Sequence, residues 1–118
     1  MSKKVLIVDD DPVIRMLVSE ILESFGHSVT SLESGSSCLS SLKQDLPDVL
    51  ILDLQMPDMT GLEVLKQLKA DSRTSGVPVI MLSANSDSEN LGKDDIKADQ
   101  YLQKPFNLSE FKKALEQV

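Results

Sequence analysis

Tryptophan is absent, and one tyrosine and three phenylalanines bring the aromatic share to only 3% of the chain. So few flat rings argue against a stacking platform for single-stranded nucleic acid. The only cysteine, Cys38, has no partner for an internal disulfide and reads as core filler. The only histidine, His27, argues against a histidine-based catalyst or zinc site and reads as a surface residue at an edge strand. Positive charge is also short: 12 basic against 19 acidic residues leave −7, with pI ≈ 4.6. That balance excludes a nucleic-acid or anionic-membrane surface, so no direct nucleic-acid partner and no membrane insertion are expected. Neither a signal-peptide pattern nor a long apolar span is present, and a reducing cytoplasm is the expected compartment. With no linker, repeat or low-complexity segment, residues 1–118 read as one domain, large enough for a core without disulfides or structural metal.

What is present is a pattern that switches period. Val5-Leu6-Ile7-Val8, Val49-Leu50-Ile51-Leu52 and Val77-Pro78-Val79-Ile80-Met81-Leu82 are continuous apolar runs, which predict strands buried on both faces. Between the first two, Ile14, Leu17, Val18, Ile21, Leu22 and Phe25 keep helical spacing, with Pro12 at the start and Gly26 as a stop. Val29 and Leu32 mark an edge strand, and a Ser-rich helix turns Cys38, Leu39 and Leu42 inward. Thr60-Gly61-Leu62-Glu63 reads as a capping box before a helix burying Leu62, Leu65 and Leu68. Ser86 to Lys97 predicts a weaker helix containing Gly92, Ala98 to Gln103 a fifth strand, and Asn107-Leu108-Ser109-Glu110 a cap. The last helix is expected to bury Leu108, Phe111, Leu115 and Val118. Five strand–helix repeats joined by short connections predict a parallel sheet covered on both faces.

Polar residues collect where these strands end, the edge at which open parallel sheets bind ligands. The first strand delivers Asp9 and Asp10, the third Asp53, the fourth Ser83, and Lys104 with Pro105 follows the fifth. Taken singly, each has a plainer role: an Asp after a strand is most often a cap or turn residue, and Asp11 beside Pro12 takes that reading. Ser83 alone would be an N-cap, and Lys104 a solvated charge. Three carboxylates at one edge repel strongly, however, and ask for a cation. A few hard oxygen ligands suit Mg²⁺ or Mn²⁺ better than a soft metal.

The stretches VLIVDDDPVIR, DVLILDLQMPDMTGLEVL, VPVIMLSA and ADQYLQKPF, in this order, resemble the receiver domain of bacterial two-component response regulators, a family that includes single-domain chemotaxis regulators. The resemblance spans essentially the whole chain. It implies an α/β, flavodoxin-like doubly wound (βα)5 sandwich with strand order 2-1-3-4-5, and a phosphorylation-dependent switch fed by a histidine kinase or histidine phosphotransfer protein. A downstream protein target or output domain is implied as well. Carried over by residue, Asp53 is the phosphoacceptor and Asp9 and Asp10 are the acidic metal pair. Gln55 offers its backbone carbonyl to the metal, Ser83 bonds the phosphoryl group, and Lys104 neutralises it. Tyr101 sits at the position of the family's switch aromatic, Gln55 and Asn85 flank the path of a hydrolytic water, and the Lys104–Pro105 peptide is cis by analogy. Two rivals are a Mg²⁺-dependent phosphatase or phosphotransferase of haloacid-dehalogenase type and a pseudo-receiver that binds partners without phosphorylation. The first normally has a second Asp where Gln55 stands; the second should have lost an acid or the lysine, and none is missing.

Overall fold

The computed structural model describes residues 2–83, 98–104 and 106–118. Among these, five strands form one parallel sheet in the order β2-β1-β3-β4-β5, as expected. The strands are β1 (Lys4–Val8), β2 (Ser28–Leu32), β3 (Val49–Asp53), β4 (Val79–Ser83) and β5 (Gln100–Gln103). The helices are α1 (Pro12–Ser24), α2 (Gly35–Gln44), α3 (Gly61–Ala70) and α4 (Leu108–Glu116). The expected helix at Ser86 to Lys97, with Gly92, and the Lys104–Pro105 peptide geometry lie outside the described residues.

The uninterrupted apolar runs have a direct cause. Alternate residues of β1, β3 and β4 point to opposite faces, and both faces are covered. Leu6, Val8, Leu50, Leu52, Val79 and Met81 pack with Cys38 and Leu42 of α2 and Val64, Leu65 and Leu68 of α3. Val5, Ile7, Val49, Ile51, Ile80 and Leu82 pack with Val18 and Leu22 of α1 and Phe111, Ala114 and Leu115 of α4.

Local chemistry sets the ends of the helices. The Asp11 carboxylate accepts from the Val13 N–H with Pro12 at the first helical position, so Asp11 is the cap of α1. Gly26, at φ 89°, takes the left-handed turn after this helix. Asn107 and Glu110 complete a reciprocal capping box on α4.

Several expectations are corrected. Leu108 is 54% exposed rather than buried, because it sits on the first turn of α4 and the buried stripe begins at Phe111. Leu17 and Phe25 are exposed: Leu17 lies about 100° round the helix from buried Val18, and Phe25 is the C-cap beyond the last helical residue. β4 begins at Val79, not Val77; Pro78 has no N–H to give a ladder, and the Val77 N–H goes back to the Thr74 carbonyl. β5 begins at Gln100, because the Asp99 carboxylate turns aside to accept from the Val79 N–H. His27 is half-buried rather than on the surface, and its Nδ1 accepts from the Lys3 N–H at 3.0 Å.

Candidate functional site

The sheet order makes β1 and β3 neighbours, while the chain leaves β1 toward β2 on the other side. This is a topological switch point, and crevices open at the carboxyl end of such a junction. Asp9 and Asp10 follow β1 and Asp53 closes β3, so the acids flank that crevice. One carboxylate oxygen of each of the three lies within 4.8 Å of the others. The open cleft is lined by Asp10, Asp11, Asp53, Gln55, Met56, Pro57 and Lys104.

The three acids are not equivalent. Asp9 is fully buried, and its carboxylate is taken: Oδ1 accepts from the Asp11 N–H at 2.9 Å, and Oδ2 accepts from Lys104 Nζ at 2.7 Å. Asp10 is exposed at the cleft. Asp53 is buried, with Oδ1 accepting from the Gln55 N–H at 3.3 Å and standing 3.5 Å from Lys104 Nζ. Lys104 thus bridges Asp9 and Asp53 from the far side of the sheet, placed there by β5. Its own N–H donates to the Ser83 carbonyl at 2.7 Å, which ties the ends of β4 and β5 together.

Burial pushes the Asp53 carboxyl up to about 7, and the Asp9 charge adds to this; Lys104 and the Gln55 N–H pull the other way. Burial alone would lower Lys104, but its hydrogen bond to Asp9 and the charges of Asp53 and Asp9 outweigh this and hold it above its ordinary value. One lysine therefore leaves this edge short of positive charge. The donor set consists of hard carboxylate oxygens, one of them exposed and uncommitted to Lys104, and it fits a hard divalent cation.

Ser83 closes β4 and is buried beside this edge. Tyr101 stands further back on β5, opposite Met81; it is half-buried, and its hydroxyl accepts from the Ala98 N–H at 2.9 Å. Gln55 is exposed at the cleft, and Asn85 and Pro105 lie outside the described residues.

Three residues at or around the site carry roles that residue type alone did not announce. Arg15, one turn into α1, donates from Nη1 to the Asp9 carbonyl at 2.7 Å and so fixes the peptide between the two acids. Gly61 lets α3 start against the end of β3: a Cβ there would lie 2.4 Å from the Asp53 carbonyl oxygen. Asp58, in the loop after Asp53, reaches across to α2 and accepts from the Gly35 and Ser36 N–H groups, which hold its carboxyl below the usual range, the Ser36 N–H most. Gly61, with Pro57, matches the family's loop after Asp53 in the sequence; for Arg15 and Asp58 the only available signals were the placement of Arg15 on the first turn of α1 and the run Pro57-Asp58, typical of a turn.

A family model for the response regulator receiver domain matches residues 5–116. Response regulator MprA of Mycobacterium bovis is 40% identical over 111 residues, covering 93% of this chain and 47% of that protein. The phosphate regulon transcriptional regulatory protein PhoB of Escherichia coli is 33% identical, with coverages of 93% and 48%. The chain thus spans about half the length of the curated relatives it matches. Among solved structures, chemotaxis response regulator CheY4 of Vibrio cholerae superposes with TM-score 0.90 at 34% identity, covering 98% of each chain. Response regulator TrrA of Thermotoga maritima, solved in complex with Mg²⁺ and BeF, gives 0.86 at 33% identity, covering 97% and 96%.

Proposed function

Because this chain belongs to the response regulator receiver domain family, a family of phosphoacceptor signalling domains, we propose that Asp53 is its acceptor and that residues 1–118 act as one receiver domain. The observation that carries this reading is the convergence at one cleft of Asp53, two further carboxylates and Lys104, at 3.5 Å from the Asp53 oxygen. In the transfer, an Asp53 oxygen attacks the donor's phosphorus and the bond from phosphorus to the donor breaks, leaving an acyl phosphate on Asp53. The donor class is the phosphohistidine of a histidine kinase or histidine phosphotransfer protein.

The obstacle is negative charge on both reactants, so the groups of this chain act by placement and electrostatics rather than by acid–base work. Lys104, anchored on buried Asp9, presents its ammonium to the phosphoryl oxygens. Asp10, Asp53 and the Gln55 carbonyl would hold Mg²⁺ or Mn²⁺, with Asp9 acting chiefly through Lys104. When bound, that ion supplies further neutralisation of the phosphoryl oxygens. Ser83 donates its hydroxyl to the phosphoryl group, and Gln55 and Asn85 modulate the approach of a hydrolytic water. Tyr101 is the switch residue. To turn, it must break its hydroxyl contact with Ala98, so the switch works against a defined hydrogen bond. The site changes only its own phosphorylation state, which favours a signalling role over turnover of a separate substrate.

The curated relatives are about twice as long as this chain, so the reading proposed for residues 1–118 includes none of their further activities. The net charge of −7 supports no direct nucleic-acid contact by these residues. Among the described residues no helix is long and apolar enough to cross a membrane, in keeping with a cytoplasmic role.

The test is intact mass after incubation with acetyl phosphate and Mg²⁺. The parent should gain one phosphoryl group and Asp53→Asn none. A parent of unchanged mass would point to the pseudo-receiver instead, and labelling retained in Asp53→Asn would move the acceptor elsewhere. Resonances of Tyr101 and α4 should shift with beryllofluoride in the parent and stay in place in Ser83→Ala.

A further inference from the structure

The first turn of α2 offers three backbone N–H groups, at Gly35, Ser36 and Ser37, that no helical carbonyl can take. Ser34, the N-cap, accepts only the last of them, at 3.2 Å. The other two are taken by Asp58 from the loop between β3 and α3, with Oδ1 accepting from Gly35 at 3.1 Å and Oδ2 from Ser36 at 2.9 Å. Met59 follows Asp58 onto the same spot: a Cβ on Gly35 would lie 2.4 Å from Met59 Cγ.

This same loop begins at the acceptor. Its two ends are closed on each other by the Gly61 N–H donating to the Leu54 carbonyl at 2.7 Å. Near its start the Gln55 N–H donates to Asp53 Oδ1. At the tip, Met56 and Met59 pack against the core that α2 and α3 cover, and the polar hold is the pair of hydrogen bonds that Asp58 accepts from α2, a helix that gives no side chain to the cleft.

We propose that Asp58 is a positioning residue for the phosphoryl site: its paired hydrogen bonds to the start of α2 hold the loop that carries Gln55 against Asp53, and thereby set the affinity of the acidic cleft for a divalent cation. The inference rests on the reading of Asp53, Asp10 and Gln55 as the metal and phosphoryl site, and it deepens that reading by adding a support outside the cleft. The rival explanation is that Asp58 only caps α2.

Ser34→Ala separates the two, because it weakens the same helix start without touching the loop. In the 118-residue chain, Mg²⁺ titrated by calorimetry should bind about tenfold more weakly to Asp58→Ala than to the parent, the scale on which outer partners act on metal sites. Ser34→Ala should lower the melting temperature comparably and leave the Mg²⁺ affinity near the parental value. Asp58→Asn keeps one oxygen able to accept and should fall between. Amide exchange of residues 54–60, measured without metal, should quicken in Asp58→Ala and not in Ser34→Ala. Parental Mg²⁺ affinity in Asp58→Ala overturns the proposal, as does an equal loss in Ser34→Ala. A parent that binds Mg²⁺ but gains no phosphoryl mass refutes the acceptor reading alone, since the affinities of the variants still decide the role of Asp58.

Discussion

Lys104 lies closer to Asp9 than to Asp53: its ammonium is 2.7 Å from Asp9 Oδ2 and 3.5 Å from Asp53 Oδ1. Asp9 is fully buried, and its other carboxylate oxygen accepts from the Asp11 N–H. Lys104→Met should therefore destabilise the fold as well as slow phosphorylation, by ~3 kcal/mol, the scale of an uncompensated buried charge. Urea denaturation in chelator reads the loss. Saturating Mg²⁺ should restore part of it by binding the folded state. A variant as stable as the parent in chelator would mean that the pair contributes nothing to stability.

Asp9 and Asp10 should separate in mutagenesis. Asp10→Asn removes an exposed charge from a repulsive group, and it should weaken Mg²⁺ binding while leaving the metal-free melting temperature unchanged or higher. Asp9→Asn should lower the melting temperature, since it discharges the acceptor of the Lys104 hydrogen bond. Calorimetry and thermal melts on both variants check this; equal profiles would contradict the division of labour.

The pH dependence follows from Asp53. Burial, then the Asp9 charge, raise its carboxyl from 3.8 to about 7 in the folded chain. The folded state thus keeps a proton that the unfolded state gives up at lower pH, so this contribution to stability is complete below about pH 4 and is lost as pH rises through about 7. In chelator the parent should be less stable at about pH 8 than at about pH 5 by more than Asp53→Asn is. Denaturation at the two pH values measures the difference. A slope of the opposite sign, or one unchanged by the substitution, would remove Asp53 as its source.

Two glycines give graded outcomes. Gly61→Ala drives a Cβ to 2.4 Å from the Asp53 carbonyl oxygen and 2.9 Å from Leu54 Cα, both backbone atoms, and should cost about 3 kcal/mol with weakened phosphorylation. Gly35→Ala meets mainly the Met59 side chain, which can rotate away, and should cost nearer 1 kcal/mol. Chemical denaturation of both ranks them.

Much of this was legible in the sequence, because the signals were redundant. A run such as Val49-Leu50-Ile51-Leu52 is apolar throughout since both faces of β3 are covered, and the acid that ends it has nowhere to go but the sheet edge. Asp11 read correctly as a cap because its neighbour is proline. The difference between Asp9 and Asp10 did not show: adjacent residues on an extended chain point to opposite sides, and only the packed sheet decides which side is interior. Asp58 was hidden for a related reason, since its partners lie 23 and 22 residues away and are backbone N–H groups, which every residue has. Exposed Leu108 shows that an apolar residue on a helical stripe need not be covered when the first turn overhangs the core.

Lys104 and Asp9 stand 95 residues apart in the chain. A ribosome therefore delivers Asp9, Asp10 and Asp53 early and their ammonium late, and a nascent or prematurely terminated chain lacking β5 carries three acids at an edge that no lysine neutralises. The charge balance of that edge is therefore completed only once β5 has been made and has paired with β4.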